Sequence, residues 1–227
     1  MRYDAVFLDV DGTLLWVDLD IEGYVEDLAP YATNGPLSVE EARGPLQQSF
    51  RAHISEHMDY PTKEKLAAFR RENARKTADA LGLDAPTEVL TEVLKKRTHF
   101  NPYPESEDVM EELARMGLPL YVLSNWDVAL ESVLDNLGWT HYFSGIIASA
   151  VVGSEKPDEE IFREALRVAG VPRERVVHVG NDPVSDIQGA VSCGIDAVLV
   201  NRGGGAEAPE AVATIPDLKG LPALVKG

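Results

Sequence analysis

The hydrophobic pattern changes period twice along this chain. It opens on a continuous apolar run, Ala5-Val6-Phe7-Leu8, which ends abruptly at Asp9-Val10-Asp11-Gly12-Thr13-Leu14. Such a run, bounded by turn formers, predicts a strand buried on both faces of a parallel sheet. From about residue 19 to 98 the period becomes helical. Ser38-Val39-Glu40-Glu41 reads as a capping box, followed by Leu46, Phe50 and Ile54 at helical spacing. Pro61-Thr62 opens a second helix, carrying Leu66, Phe69, Ala74 and Leu81 and stopped by Gly82. Pro86-Thr87 opens a third, whose basic end, Lys95-Lys96-Arg97, suits the helix dipole. Beyond Asn101-Pro102-Tyr103-Pro104, a natural hinge, helices and strands alternate. Helices are predicted over 107–116, 128–137, 159–169 and 183–193, each followed by glycine, and strands over 118–123, 145–148, 175–179 and 196–200. A short edge strand at 213–215 and a last helical turn complete the pattern. The expectation is an α/β fold: a doubly wound, mostly parallel sheet formed by residues 1–15 and 101–227, with an all-helical domain, 16–100, inserted after the first strand.

Composition narrows the setting. The 227 residues suffice for one sizeable core with a small second domain, and 44% hydrophobic with 26% charged residues is ordinary for a globular protein. No apolar stretch is long enough to span a bilayer, and the amino terminus runs directly into the first strand without a signal-peptide pattern. The single cysteine, Cys193, reads as a core or helix-end thiol. These features point to the cytoplasm. A net charge of −17 argues against nucleic acid and anionic membranes as partners. It also means that a site for an anion must gather its own positive charge from a metal, a lysine or helix N-termini. The apolar residues of the helical domain leave monomer and homodimer equally open.

Chemistry collects at the strand ends, where ligands of parallel sheets bind. The first strand delivers Asp9 and Asp11, two carboxylates close enough to need a cation or a shared proton between them. A later strand delivers Ser124 and Asn125, and another delivers Asn181, Asp182 and, one helical turn on, Asp186. Lys156 precedes a helix in Gly153-Ser154-Glu155-Lys156-Pro157. Acids, a hydroxyl and a lysine suit a phosphate held beside Mg²⁺. Each piece alone has a plainer reading as a turn, a helix cap or a solvated lysine; their conjunction favours the chemical one. Gly203-Gly204-Gly205 reads as a flexible loop, and His178 as a satisfied core histidine. His53, His57, His99 and His141 lack metal-ligand spacing. Trp16, Tyr24 and Tyr31 fall in a loop after the first strand and read as packing residues.

Asp9-Val10-Asp11-Gly12-Thr13 resembles the opening motif of the haloacid dehalogenase-like (HAD) hydrolases. Leu123-Ser124-Asn125, Lys156-Pro157 and the run from Gly180 to Asp186 resemble the family's second, third and fourth motifs, in order, across nearly the whole chain. The inserted helices resemble the family's helical cap of the first cap class (C1). Ser124-Asn125-Trp126-Asp127 and the segment from His178 to Ala190 look most like its small phosphatase-like members. The resemblance implies a Mg²⁺-dependent phosphatase of small phosphorylated metabolites working through an aspartyl-phosphate. Asp9 would be the nucleophile and a metal ligand. Asp11 would be the proton donor and acceptor and would lend its backbone carbonyl to the metal. Ser124 and Lys156 would be catalytic and phosphate-binding groups, with Gly12, Thr13 and Asn125 also meeting substrate. Asp186 would orient Lys156 or metal-bound water.

The fourth motif departs from the family's commonest form, which has Asp directly after the glycine. Here Asn181 stands there and Asp182 follows, so either could be the ligand; Asp182 before Pro183 also suits a helix cap. Three other activities remain in view. A 2-haloacid dehalogenase would lack the second aspartate, which Asp11 supplies here, a phosphomutase would share the site, and a non-catalytic member would use the cap to bind a partner protein.

Overall fold

The computed structural model describes residues 1–227. The chain divides into two compact units, Met1–Trp16 with Asn101–Gly227, and Val17–Phe100. Taken along the chain, β1 is Ala5–Leu8, buried throughout, and β2 is Leu15–Leu19, with the in-out alternation of a half-buried strand. Four helices follow: α1 (Ile21–Leu28), α2 (Val39–Glu56), α3 (Lys63–Ala80) and α4 (Thr87–Arg97). β3 (Thr98–Pro102) pairs with β2 as a separate two-stranded sheet.

The helical unit has its own core of Tyr24, Leu28, Ala42, Leu46, Ala74, Ala78, Leu83, Ala85 and Leu90. The capping box at the start of α2 is present: the Glu41 backbone N–H donates to Ser38 Oγ, and the Ser38 N–H donates to the Glu41 carboxylate. Thr62 caps α3. Two features differ from the pattern read off the sequence. The stretch holding Tyr24 is a helix, not a loop; Asp20 caps it by accepting from the Gly23 N–H at 2.8 Å. Tyr24 is buried in the helical core, and burial pushes its phenol up to about 12. The second difference is the pair β2 and β3. Their segments are too short and too polar on one side to stand out from the surrounding helical pattern.

The other unit continues through α5 (Ser106–Arg115), β4 (Leu120–Ser124), α6 (Leu130–Asn136), β5 (Phe143–Ala148), α7 (Ser149–Val152), α8 (Glu159–Ala169) and β6 (Val176–Gly180). One turn of π-helix, Pro183–Gln188, then leads into α9 (Gly189–Ser192), β7 (Asp196–Val200), β8 (Ala213–Ile215) and α10 (Leu221–Lys226). Six strands form one parallel sheet in the order β5-β4-β1-β6-β7-β8. This is the expected α/β class. One sheet face, carrying Ala5, Phe7, Leu123, Ala197 and Leu199, packs on Ile161, Phe162 and Ala165 of α8 and on Ile187, Ala190 and Cys193. Cys193 is a buried free thiol, in keeping with its packing assignment. β1 lies between β4 and β6, with Phe7 level with Tyr121 on one side and His178 on the other. The ends of the three central strands therefore open side by side. No helix is long and apolar enough to cross a membrane.

Candidate active site

Because strand side chains alternate, Asp9 continues the face of Phe7, and Gly180 the face of His178. Asp9 is buried with its two oxygens separately engaged. Oδ1 accepts from Ser124 Oγ at 3.0 Å and from Lys156 Nζ at 2.8 Å, and Oδ2 accepts from Thr13 Oγ1 at 3.1 Å. Thr13 Oγ1 also lies 3.3 Å from Asn181 Oδ1. Residues of the first, second and third motifs thus converge on one carboxylate, and Asn181 meets the Thr13 hydroxyl beside it.

Lys156 is only 4% exposed, and its ammonium bridges Asp9 and Asp186 Oδ1, the latter at 2.5 Å. Asp186, 1% exposed, also accepts at Oδ2 from the backbone N–H of Asp182, at 2.9 Å. Gly180 makes this possible, since a Cβ there would collide with the Asp186 carboxylate. Burial opposes the Lys156 charge, but Asp186 and Asp9 outweigh it and raise the ammonium pKa. Burial likewise opposes ionisation of Asp186, yet Lys156 and then His178 hold its carboxyl far below the ordinary carboxylate range. Burial raises the Asp9 carboxyl above that range; Lys156 opposes the rise and the Asp186 charge adds to it. A cation beside Asp9 would favour its ionised form.

Asn125 donates through Nδ2 to the Lys156 carbonyl at 2.9 Å and accepts from the Lys156 N–H at 2.7 Å. Its amide thereby fixes the lysine's backbone. The Gly12 N–H donates to the Leu15 carbonyl, and the Thr13 N–H to Val10, so both amides close the turn after β1. Gly12 has φ +79°, a left-handed conformation that favours glycine, and a Cβ there would strike the Asn181 amide. Asp11 is exposed, three residues beyond the end of β1. The Asp182 carboxylate is also exposed and accepts from the Val184 and Ser185 N–H groups at 2.9 and 2.7 Å. It caps the π-turn, while the Asn181 amide meets the Thr13 hydroxyl.

Two residues at the site were not assigned chemistry from sequence. His178 is fully buried and donates from Nε2 to Asp186 Oδ1 at 3.0 Å, but its Nδ1 has no partner, so it is not the fully satisfied core histidine expected. Arg202, after β7, donates to the Thr13 carbonyl at 2.7 Å, pairs with Glu105 at 2.7 Å and lies 3.4 Å over the Tyr103 ring. Its position at a strand end was the available signal. The neighbouring glycines drew that segment into a flexible-loop reading instead.

No three acidic, histidine or cysteine side chains cluster as a metal cage. The oxygens that converge are one carboxylate, Asp9, and one amide, Asn181, with the Asp11 backbone nearby in the chain. An all-oxygen set of low charge matches a hard divalent cation that keeps several waters, rather than a tightly caged one.

The phosphoserine phosphatase of Thermus thermophilus is 34% identical over 194 residues, covering 84% of this chain and 68% of that protein. The glyceraldehyde 3-phosphate phosphatase of Methanothermobacter thermautotrophicus is 33% identical over 207 residues, covering 87% and 85% respectively. The crystal structure of a 2-haloacid dehalogenase from Pseudomonas syringae has a TM-score of 0.66 at 26% identity, covering 99% of this chain and 98% of the other. The haloacid dehalogenase-like hydrolase model matches residues 3–194, and the chain belongs to that family of enzymes.

Proposed function

We propose that this enzyme hydrolyses small phosphate monoesters, with Asp9 as the attacking carboxylate. The observation that carries the reading is the Asp9 carboxylate itself, buried and aligned by Ser124, Thr13 and Lys156. In this reading an Asp9 oxygen attacks phosphorus and the ester C–O–P bond breaks on the leaving-group side of phosphorus, giving an aspartyl-phosphate and an alkoxide. Asp11, exposed and two residues on, delivers a proton to the alkoxide and then removes one from the water that cleaves the acyl-phosphate. Lys156 and Ser124 balance charge on the phosphoryl oxygens, where phosphoryl transfer most needs help.

The metal position is assigned to Asp9, the Asp11 carbonyl and the Asn181 amide oxygen, with Asp182 kept as a helix cap. Mg²⁺ bound there would offset the repulsion between nucleophile and phosphate. The Val17–Phe100 unit is assigned as the cap that selects the leaving group. The names of the relatives make phosphoserine and glyceraldehyde 3-phosphate the first substrates to try. A dehalogenase reading draws on the fold likeness alone; Asp11, which such enzymes lack in the resemblance drawn above, stands against it.

The test is a panel of phosphoserine, glyceraldehyde 3-phosphate, phosphoglycolate, sugar phosphates and nucleotides, assayed with Mg²⁺ and again with EDTA. Turnover that requires Mg²⁺ and disappears in Asp9→Asn, with an unchanged circular-dichroism spectrum, is the expected result. Near-normal turnover by Asp9→Asn would remove the nucleophile assignment. Chloride release from 2-chloropropionate without ester hydrolysis would replace the phosphatase reading.

A further inference from the structure

The chain His178–Asp186–Lys156–Asp9 contains one hydrogen bond that charge balance does not require. Asp186 already has the Lys156 ammonium at Oδ1 and the Asp182 N–H at Oδ2. His178 adds a second donor to Oδ1, the same oxygen that Lys156 uses. Nε2 must carry the proton to donate to a carboxylate, which leaves Nδ1 as the buried atom without a partner. The fold accepts that unpaired atom and fixes the ring from three sides. Phe7 and Ala197 are its partners on the adjacent strands, and the Phe162 ring stands edge-on to it at 5.6 Å.

Lys156 is shared between two carboxylate oxygens, Asp9 Oδ1 at 2.8 Å and Asp186 Oδ1 at 2.5 Å. An oxygen that accepts from two donors offers less to each. We propose that His178 is a positioning residue: by occupying Asp186 Oδ1 it weakens that oxygen's claim on Lys156 and keeps the ammonium extended toward Asp9 and the phosphoryl group. This assignment rests on the phosphatase reading for its kinetic consequence but not for its structural one. His178 makes no hydrogen bond to Asp9; its hydrogen bond is to Asp186.

The test compares His178→Phe, which keeps a ring and removes the donor, with His178→Gln, whose Nε2 restores one. His178→Phe should lower kcat/KM about tenfold, the scale of one hydrogen bond to a charged group, and weaken inhibition by inorganic phosphate in parallel. His178→Gln should recover most of both. A readout independent of turnover is the ¹⁵N-lysine ammonium resonance of Lys156, identified by its loss in Lys156→Arg. It should move in the Phe variant and return toward its original position in the Gln variant. A Phe variant with wild-type kcat/KM, phosphate inhibition and Lys156 resonance would overturn the assignment. Loss of activity that Gln fails to restore, with the resonance unmoved, would also overturn it and make His178 a packing residue. If the wild-type protein hydrolysed no ester in the panel, the functional reading would fall while the resonance still tested the link from His178 to Lys156.

Discussion

At the scale of single residues, the fourth motif separates two side chains that are adjacent in sequence. Asn181 and Asp182 differ by one position, yet the turn after β6 sends one amide toward Thr13 and the other side chain out to the helix start. A neutral amide oxygen is a weaker partner for a hard cation than a carboxylate, because ligand charge tunes such affinities. Asn181→Asp should therefore lower the half-saturating Mg²⁺ concentration on the order of tenfold. Asp182→Ala should leave it unchanged and instead cost about 1 kcal/mol of stability through the lost cap. Mg²⁺ titration of activity, with urea denaturation of the same variants, checks both. A large rise in half-saturating Mg²⁺ for Asp182→Ala would return the ligand role to that residue.

At the scale of elements, three loops meet around the turn after β1. Arg202 follows β7, Tyr103 and Glu105 follow β3, and the Thr13 and Leu14 carbonyls belong to the turn itself. Ser106 Oγ and the Tyr103 N–H both donate to the Leu14 carbonyl, so two consecutive carbonyls are fixed from outside. Removing Arg202 would leave Glu105, 7% exposed, without its cation. Breaking a buried pair from one side costs about 3–5 kcal/mol; with Arg202 partly open to solvent, Arg202→Met should cost about 2 kcal/mol. Most of that loss should return in the double variant with Glu105→Gln, measured by denaturation. A double variant no more stable than Arg202→Met would mean that the Thr13 contact, not the pair, carries the energy. This clamp also marks where reading the sequence stops. Asp9, Asp11 and Ser124 stand out in the sequence because each lies at or soon after a strand end, where the hydrophobic period breaks; Lys156, before a helix, and Asp186, inside a helical turn, stand out only through the motifs that hold them. The partners of Arg202 and His178 were not legible, because they depend on which strands become neighbours. The sequence order β1, β4, β6 and β7 does not state that β6 lies beside β1. The helix at 21–28 does not show in the sequence for a different reason: its burial against the other helices is tertiary, and Gly23 within it reads locally as a turn.

At the scale of the whole molecule, the proposed reaction asks the buried cluster to draw an anion toward a protein of net charge −17. Lys156 is enclosed and paired with two carboxylates, so it projects little field into solvent. An incoming phosphate dianion therefore meets repulsion until it is close, while Mg²⁺ is attracted over the same distance. Salt screens both effects within a Debye length of about 10 Å at 0.1 M. The two dependences must consequently run in opposite directions. With Mg²⁺ saturating, kcat/KM for a dianionic ester should rise about two- to threefold as KCl increases from about 10 to 150 mM. The half-saturating Mg²⁺ concentration should rise over the same interval, because the attraction for the cation is screened too. Initial rates measured on a grid of KCl and Mg²⁺ concentrations separate the two. A fall in kcat/KM with salt at saturating Mg²⁺ would mean that a local positive field overrides the global charge.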